Sequence, residues 1–291
     1  MAESYYCMGM ITAYRKVNSI TDALLALDQL ENTRVIAGGT DLLLKLSSDL
    51  SPSIILIDIT GVKQLGGIEV TDKGLRIGAT TRMGDIARSN LLTGSLKMLA
   101  QGASVVGSTQ IRNLATIGGN LCNASPSADT AAPLLALDAK VEIHSPKGIR
   151  IINLGDFFIG PGQTSLARDE ILSAVLIPFQ PNNARGIYIK HAARGAMCLA
   201  MVGVAAYCAH KDSGHVFRLA LSAVAPTPIR ASKAERLLNQ AAKVDEQLIQ
   251  KAAELAAKES EPITDVRASA KYRREMVAQL TVRALRDVDA G

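Results

Sequence analysis

Apolar residues recur along this chain in two rhythms. After Ser19, the segment ITDALLALDQL places Ile20, Ala23, Leu24, Leu27 and Leu30 on one helical face, with Asp22 in the first turn, and predicts a short amphipathic helix. TRVIAGG then reads as a buried strand broken at Gly38 and Gly39, TDLLLKLS as a helix start, and SIILIDIT as a second buried strand. From residue 68, IEVTDKGLRIGATT predicts a hairpin turning at Asp72, Lys73 and Gly74, followed by a mostly helical stretch over 81–106. A second hairpin turns through Ser145, Pro146, Lys147 and Gly148, and EILSAVLIP is a strand stopped by Pro178. FQPNNARG, residues 179–186, has the composition of a linker. Beyond it come two strands around Lys211, Asp212, Ser213 and Gly214, then helices from about Ser232 to the end. On the last helix, Ala268, Tyr272, Met276, Leu280 and Ala284 recur every four positions and predict the buried face. The order fits an α+β amino-terminal part and a smaller sheet-then-helices part.

A chain of 291 residues can bury two or three cores, and 48% apolar with 20% charged residues is ordinary globular usage. With no Trp, four Phe and six Tyr, the cores are aliphatic and surfaces for stacking nucleic-acid bases are not expected. The net charge of +5 is spread among acidic residues and reads as solvated surface. Cys7, Cys122, Cys198 and Cys208 lack C-x-x-C spacing, and His144, His191, His210 and His215 lack metal-ligand spacing, so no metal is expected. No stretch approaches a membrane span or a signal sequence; the expectation is a cytoplasmic protein.

Two glycine turns carry the candidate chemistry: VIAGGTDLL at 35–43 and TIGGNLCNASPSAD at 116–129. Bare backbone in such turns can point successive amides at a phosphate, and the hydroxyls of Thr40, Thr116 and Ser125 add donors. Two such turns suit a pyrophosphate. Plain structural bends remain the alternative, and neither turn has the spacing of a Rossmann or P-loop site.

The segments VIAGGTDLL, IGATTRMGDI, VGSTQIRNLATIGGNLCNASPSADTAAPLLALDA, GPGQTSLARDEIL, SAVAPTPIRA and YRREM follow one another in an order that resembles the FAD-binding medium subunits of the molybdenum hydroxylases. The likeness is nearest to the FAD subunits of bacterial xanthine dehydrogenases and covers nearly all of the chain from about residue 12. It implies a vanillyl-alcohol-oxidase (PCMH)-type FAD domain over 1–178, with subdomains of about 1–60 and 61–178 and the flavin between them. It also implies a carboxy-terminal domain of antiparallel sheet and helices over 187–291. On the family pattern the first turn, Val35, Ile36, Ala37, Gly38, Gly39, Thr40, Asp41 and Leu42, carries the pyrophosphate. Thr116, Ile117, Gly118, Gly119 and Asn120 form the second turn. Ser125 and Asp129 match a Ser-x-x-x-Asp region whose aspartate bonds the cofactor, and Gly107 matches a further contact. Leu172 and Lys190 match positions lining the isoalloxazine or its neighbourhood. Read without the likeness, Asp129 is a helix N-cap, Lys190 a solvated lysine and Leu172 core.

The resemblance implies partners as well: a molybdopterin-binding large subunit that hydroxylates substrate, by likeness a purine such as xanthine, and a small subunit with two [2Fe-2S] clusters. FAD would pass their electrons to NAD or another acceptor. One position departs from the pattern: relatives often read R-x-A-x-D after the lysine segment, whereas Arg194 and Ala196 are followed here by Cys198. A free-standing flavin oxidoreductase would need an acid-base cluster that the motifs do not contain. A non-catalytic assembly module would use the turns only as bends.

Overall fold

The computed structural model describes residues 11–47, 53–211 and 214–289; Cys7 and two residues of the expected turn at 211–214 lie outside them. The first unit alternates strand and helix: β1 (Ile11–Lys16), α1 (Ile20–Gln29), β2 (Thr33–Ile36), α2 (Leu42–Ser47) and β3 (Ile54–Asp58). Ser19 opens α1 because its extended backbone lets the side-chain oxygen accept the Asp22 N–H at 3.0 Å. Ala23, Ala26 and Leu27 are buried, with Ile20, Leu24 and Leu30 packed beside them, as the periodicity predicts. The strands are parallel, in the order β1-β3-β2. The first glycine turn therefore leaves the carboxyl end of a parallel strand, where backbone groups are free to meet a ligand.

The second unit holds β4 (Ile68–Thr71), β5 (Gly74–Gly78), α3 (Met83–Ala87), α4 (Lys97–Ser104), α5 (Thr109–Arg112), α6 (Ile117–Cys122) and α7 (Ala131–Ala136). It continues with β6 (Lys140–Ser145), β7 (Gly148–Asn153), β8 (Phe158–Gly160), β9 (Gln163–Thr164) and β10 (Ile171–Pro178). Five strands pair antiparallel in the order β4-β5-β10-β6-β7. The central place of β10 explains its near-continuous apolar run, and Pro178 ends it. Both predicted hairpins form. The region 81–106 is less helical than its period predicts: α3 and α4 are separated by a loop and a 3-10 turn in which Gly94 sits at φ +54°.

The third unit pairs β11 (Arg185–His191), β12 (Val202–Lys211), β13 (Gly214–Ser222) and β14 (Ile229–Arg230) antiparallel in chain order. It is followed by α8 (Ser232–Gln240), α9 (Glu246–Glu259) and α10 (Ala270–Asp289). Both faces of this sheet are covered. Val204, Ala206 and Cys208 face the three helices, while Ala205, Tyr207 and Ala209 join the core of the second unit, which α4 and α7 help to build. The segment 179–186 is tied down at both ends: Gln180 donates to the Leu137 carbonyl and Asn183 to that of His210. No described helix is long and apolar enough to cross a membrane.

The buried stripe of α10 differs from the predicted one. Ala268 precedes the helix and Tyr272 is exposed, whereas Arg273, Val277, Thr281, Ala284 and Leu285 face inward with Leu280 and Val288. A charged residue at the head of the stripe hid the register. Arg273 is 1% exposed because its guanidinium donates to the Met201 and Ala223 carbonyls, at 2.8 and 3.1 Å, and to Asp265 at 2.8 Å. Asp265→Asn should cost about 1–2 kcal/mol by weakening these charge-assisted bonds at a partly exposed site. Arg267, then Arg273, holds the Asp265 carboxyl well below the usual carboxylate range. A depressed folded pKa means that this stability is present above the unfolded value and lost as pH falls towards the folded one. Urea unfolding should separate variant from wild type at neutral pH and bring them together in strong acid.

Candidate cofactor-binding site

The first turn is built by two glycines with different duties. A Cβ on Gly38 would lie 2.1 Å from the Leu114 carbonyl oxygen, so this backbone is pressed against the segment that leads into the second turn. Gly39 sits at φ +70°, which lets the chain reverse into α2. Among the described residues, the amide N–H groups of Gly38, Gly39, Thr40 and Asp41 have no hydrogen-bond partner in the protein. Four consecutive free amides at the end of a strand are donors that a bound anion could accept from.

The second turn is different, and here the expectation of two equivalent amide cradles is corrected. Ile117 N–H donates to Thr81 O at 3.0 Å, Gly118 N–H to Ala79 O at 2.8 Å and Asn120 N–H to Thr116 O at 3.0 Å. Gly119 N–H is taken by Thr116 Oγ1 at 3.1 Å, which makes Thr116 the N-cap of α6. Its amides are therefore spent on the fold. Gly118 is there because a Cβ would meet Ala79 at 2.6 Å, and Gly119 leaves a bare floor in the cleft. Asn123 donates from Nδ2 to Asp41 Oδ1 at 3.2 Å and ties the two turns together.

The turns line one elongated cleft of three adjoining compartments. The middle one is bounded by residues 35–42, Thr116, Gly119, Asn120, Cys122 and Asn123. One end is apolar, lined by Val35, Ala37, Ile59, Ala79, Leu166, Ile171 and Leu172. The other is polar, with Gly107, Ser125, Ser127, Asp129 and Lys190 beside Met197, Cys198 and Leu199. Each end shares residues with the middle but none with the other end, so Leu172 and Lys190 do not flank one spot. Ile117 is buried behind the floor, whereas Gly118, though buried, lines the apolar end.

At the polar end, Asp129 is not a helix cap: Thr130 takes the position before α7 and makes no side-chain cap bond. The Asp129 carboxylate instead accepts from Tyr188 Oη at 2.8 Å and from Lys190 Nζ at 2.8 Å, and Lys190 also donates to Val105 O at 3.0 Å. Lys190 is accordingly a mostly buried lysine, its side chain 11% exposed. Tyr188 and Lys190 stand two apart on β11 and so share a face. Burial raises the Asp129 carboxyl above the ordinary range, against the opposing pull of Lys190 and Tyr188. Burial, then the nearby Asp129 charge, drives the Tyr188 hydroxyl well above its usual value, so it stays a donor. Burial likewise pushes the Cys122 thiol up to about 12, making that wall of the cleft a neutral one. The sequence reading missed Tyr188 and the Asn123–Asp41 tie. A period-2 step back from Lys190 could have found the first; nothing local marks the second.

These residues fit FAD. Free amides suit the diphosphate, an apolar slot suits a flat heterocycle, and a polar end with a fixed ammonium suits a ring that takes up charge.

The comparisons agree with this geometry. The family model described as the FAD binding domain in molybdopterin dehydrogenase matches residues 9–180, and that of the CO dehydrogenase flavoprotein C-terminal domain matches 187–288. The chain is 36% identical over 283 residues to the xanthine dehydrogenase FAD-binding subunit of Escherichia coli O157:H7, covering 96% of each chain. It is 33% identical over 279 residues to the nicotine 6-hydroxylase medium subunit of Paenarthrobacter nicotinovorans, again covering 96% of both. A solved carbon monoxide dehydrogenase of Hydrogenophaga pseudoflava, lacking the Mo-pyranopterin moiety of its cofactor, superposes with a TM-score of 0.91 at 30% identity, covering 97% of this chain and 98% of the other. The chain belongs to the molybdopterin dehydrogenase family as its FAD-binding oxidoreductase subunit, with the PCMH-type and carboxy-terminal domains of that family.

Proposed function

We propose that this chain is the electron-exit subunit of a molybdenum hydroxylase acting on a purine such as xanthine, relaying electrons from [2Fe-2S] clusters on a small subunit to NAD. Hydroxylation itself belongs to a molybdopterin-binding large subunit. The observation that carries the reading is the run of four free amides, Gly38 to Asp41, in a cleft that continues to the Asp129–Lys190 pair. Those amides hold the diphosphate, with the Asn123–Asp41 tie keeping the cradle closed. The apolar slot at Ile171 and Leu172, 2% and 3% exposed, takes the adenine. The isoalloxazine would lie towards Lys190, because that end is rimmed by the exposed Met197 and Leu199, where an acceptor would have access. Bound there, FAD supplies the conversion between single-electron arrival and two-electron hydride departure. Lys190 holds a fixed positive charge at the ring, Asp129 balances it, and Tyr188 fixes the aspartate. The described cysteines Cys122, Cys198 and Cys208 are free thiols, which fits a cytoplasmic setting.

The chain expressed alone should bind about one FAD, leave xanthine untouched, and, once reduced by dithionite, form NADH from NAD. Reconstitution with the partner subunits should add xanthine oxidation. Turnover of xanthine by the lone chain would favour a free-standing oxidoreductase. Failure to take up flavin would leave only an assembly role. Reduction of a different acceptor in place of NAD would overturn the choice of acceptor alone.

A further inference from the structure

A second cluster of metal-type ligands lies away from the flavin cleft, on the helix-covered face of the carboxy-terminal sheet. Cys208 and His210 stand two apart on β12 and share one face of it, and α10, which packs on that strand, brings Asp289 to the same place. The thiol sulfur, the imidazole nitrogen and a carboxylate oxygen all lie within 4.8 Å of one another. Cys208 Sγ is 3.9 Å from His210 Nε2. Two ligands on one tetrahedral zinc, at about 2.3 Å for sulfur and about 2.0–2.1 Å for nitrogen, are separated by roughly 3.6 Å, so this pair needs little movement, while the carboxylate oxygen has to close in from within 4.8 Å.

The rest of the surroundings point the same way. Among the described residues the His210 ring has no hydrogen-bond partner but this thiol, and the Asp289 carboxylate has none. His210 is held in place through its carbonyl, which accepts from Asn183 Nδ2 at 2.6 Å. His215, opposite it in register, is committed to the Leu238 carbonyl at 2.9 Å and leaves the pocket to His210. Arg185 lies opposite Cys208 on β11 with its side chain exposed, and its charge pulls the thiol down against burial and Asp289. We propose that Cys208, His210 and Asp289 bind a divalent cation of the zinc class, with water as fourth ligand, pinning the end of α10 to the sheet. A thiolate, imidazole and carboxylate set selects a borderline-soft ion over magnesium or calcium. On binding, the thiol proton is released to solvent. Burial and the Asp289 charge push the metal-free Cys208 thiol up to about 12, so the unoccupied site rests as a neutral thiol.

The test uses the assembled complex, loaded with zinc salt and desalted. Elemental analysis should find about one zinc per FAD subunit, and zinc-edge X-ray absorption, to which iron and molybdenum are invisible, should show one sulfur in the first shell. Cys208→Ala should lose the sulfur signal. Asp289→Asn, at the rim and harmless to the core, should weaken zinc retention at least about tenfold with FAD content unchanged. A zinc shell without sulfur, or Asp289→Asn retaining zinc like wild type, would overturn the site. Neither result touches the flavin reading, which FAD content reports separately.

Discussion

Gly38→Ala is expected to lose FAD almost completely. The added Cβ would lie 2.1 Å from the Leu114 carbonyl oxygen and 2.6 Å from its carbon, both backbone atoms that cannot rotate away. The turn must lift off the neighbouring segment, which separates the free amides of Gly38 to Asp41 from the floor at Gly119. Overpacking of this kind costs about 1–3 kcal/mol of stability. The loss in affinity should be larger, because amides misplaced by an ångström no longer converge; a loss of about 3 kcal/mol is more than 100-fold in Kd. Fluorescence titration of the apoprotein with FAD, beside thermal unfolding, reads both numbers. Gly195→Ala is the matched control, since a Cβ there meets nothing within 4 Å. If Gly38→Ala bound FAD within a few-fold of wild type, the first turn would be a bend and the cradle would lie elsewhere.

Local periodicity made much of this fold legible. The Ser19 cap, the two tight hairpins and the buried run of β10 follow from rules acting within about ten residues, and the structure keeps each of them. What stayed hidden involves partners far along the chain. The glycines at 38–39 and 118–119 look alike in sequence, yet one pair leaves its amides free and the other has them taken by Ala79 and Thr116. Only the return of the chain after β5 decides which. Arg273 on the inner stripe of α10 broke the apolar pattern because carbonyls of Met201 and Ala223, contributed by distant loops, accept from one of its guanidinium nitrogens. Cys208 and His210 carry no recognisable metal spacing since their third partner, Asp289, arrives on another element. The family resemblance supplied Asp129 and Lys190 but not their mutual bond, which depends on β11 crossing behind α7.

That bond sets up the second large effect. Lys190→Met leaves the Asp129 carboxylate, 6% exposed, with Tyr188 as its remaining side-chain partner, and breaking a buried pair from one side costs about 3–5 kcal/mol. The cost should depend on pH in a definite direction. Burial already raises the folded pKa of Asp129, and removing the ammonium removes the opposing pull, so the folded variant holds a proton that the unfolded chain releases at about pH 4. Above that value the unfolded state binds fewer protons, and stability falls as pH rises towards the folded pKa; below it the penalty vanishes. Urea unfolding should therefore find Lys190→Met close to wild type at about pH 4 and weakest at neutral pH. Asp129→Asn should be destabilised by a similar amount for the complementary reason, a buried ammonium left with the Val105 carbonyl. The double variant, with neither charge, should recover most of the loss, a coupling that independent sites would not produce. Both singles should also weaken FAD binding at neutral pH, whereas the double, folded but without a fixed charge at the ring, should regain stability without regaining the wild-type flavin potential. Equal potentials in wild type and double variant would place the ring away from Lys190 and reverse the orientation assigned to the cofactor.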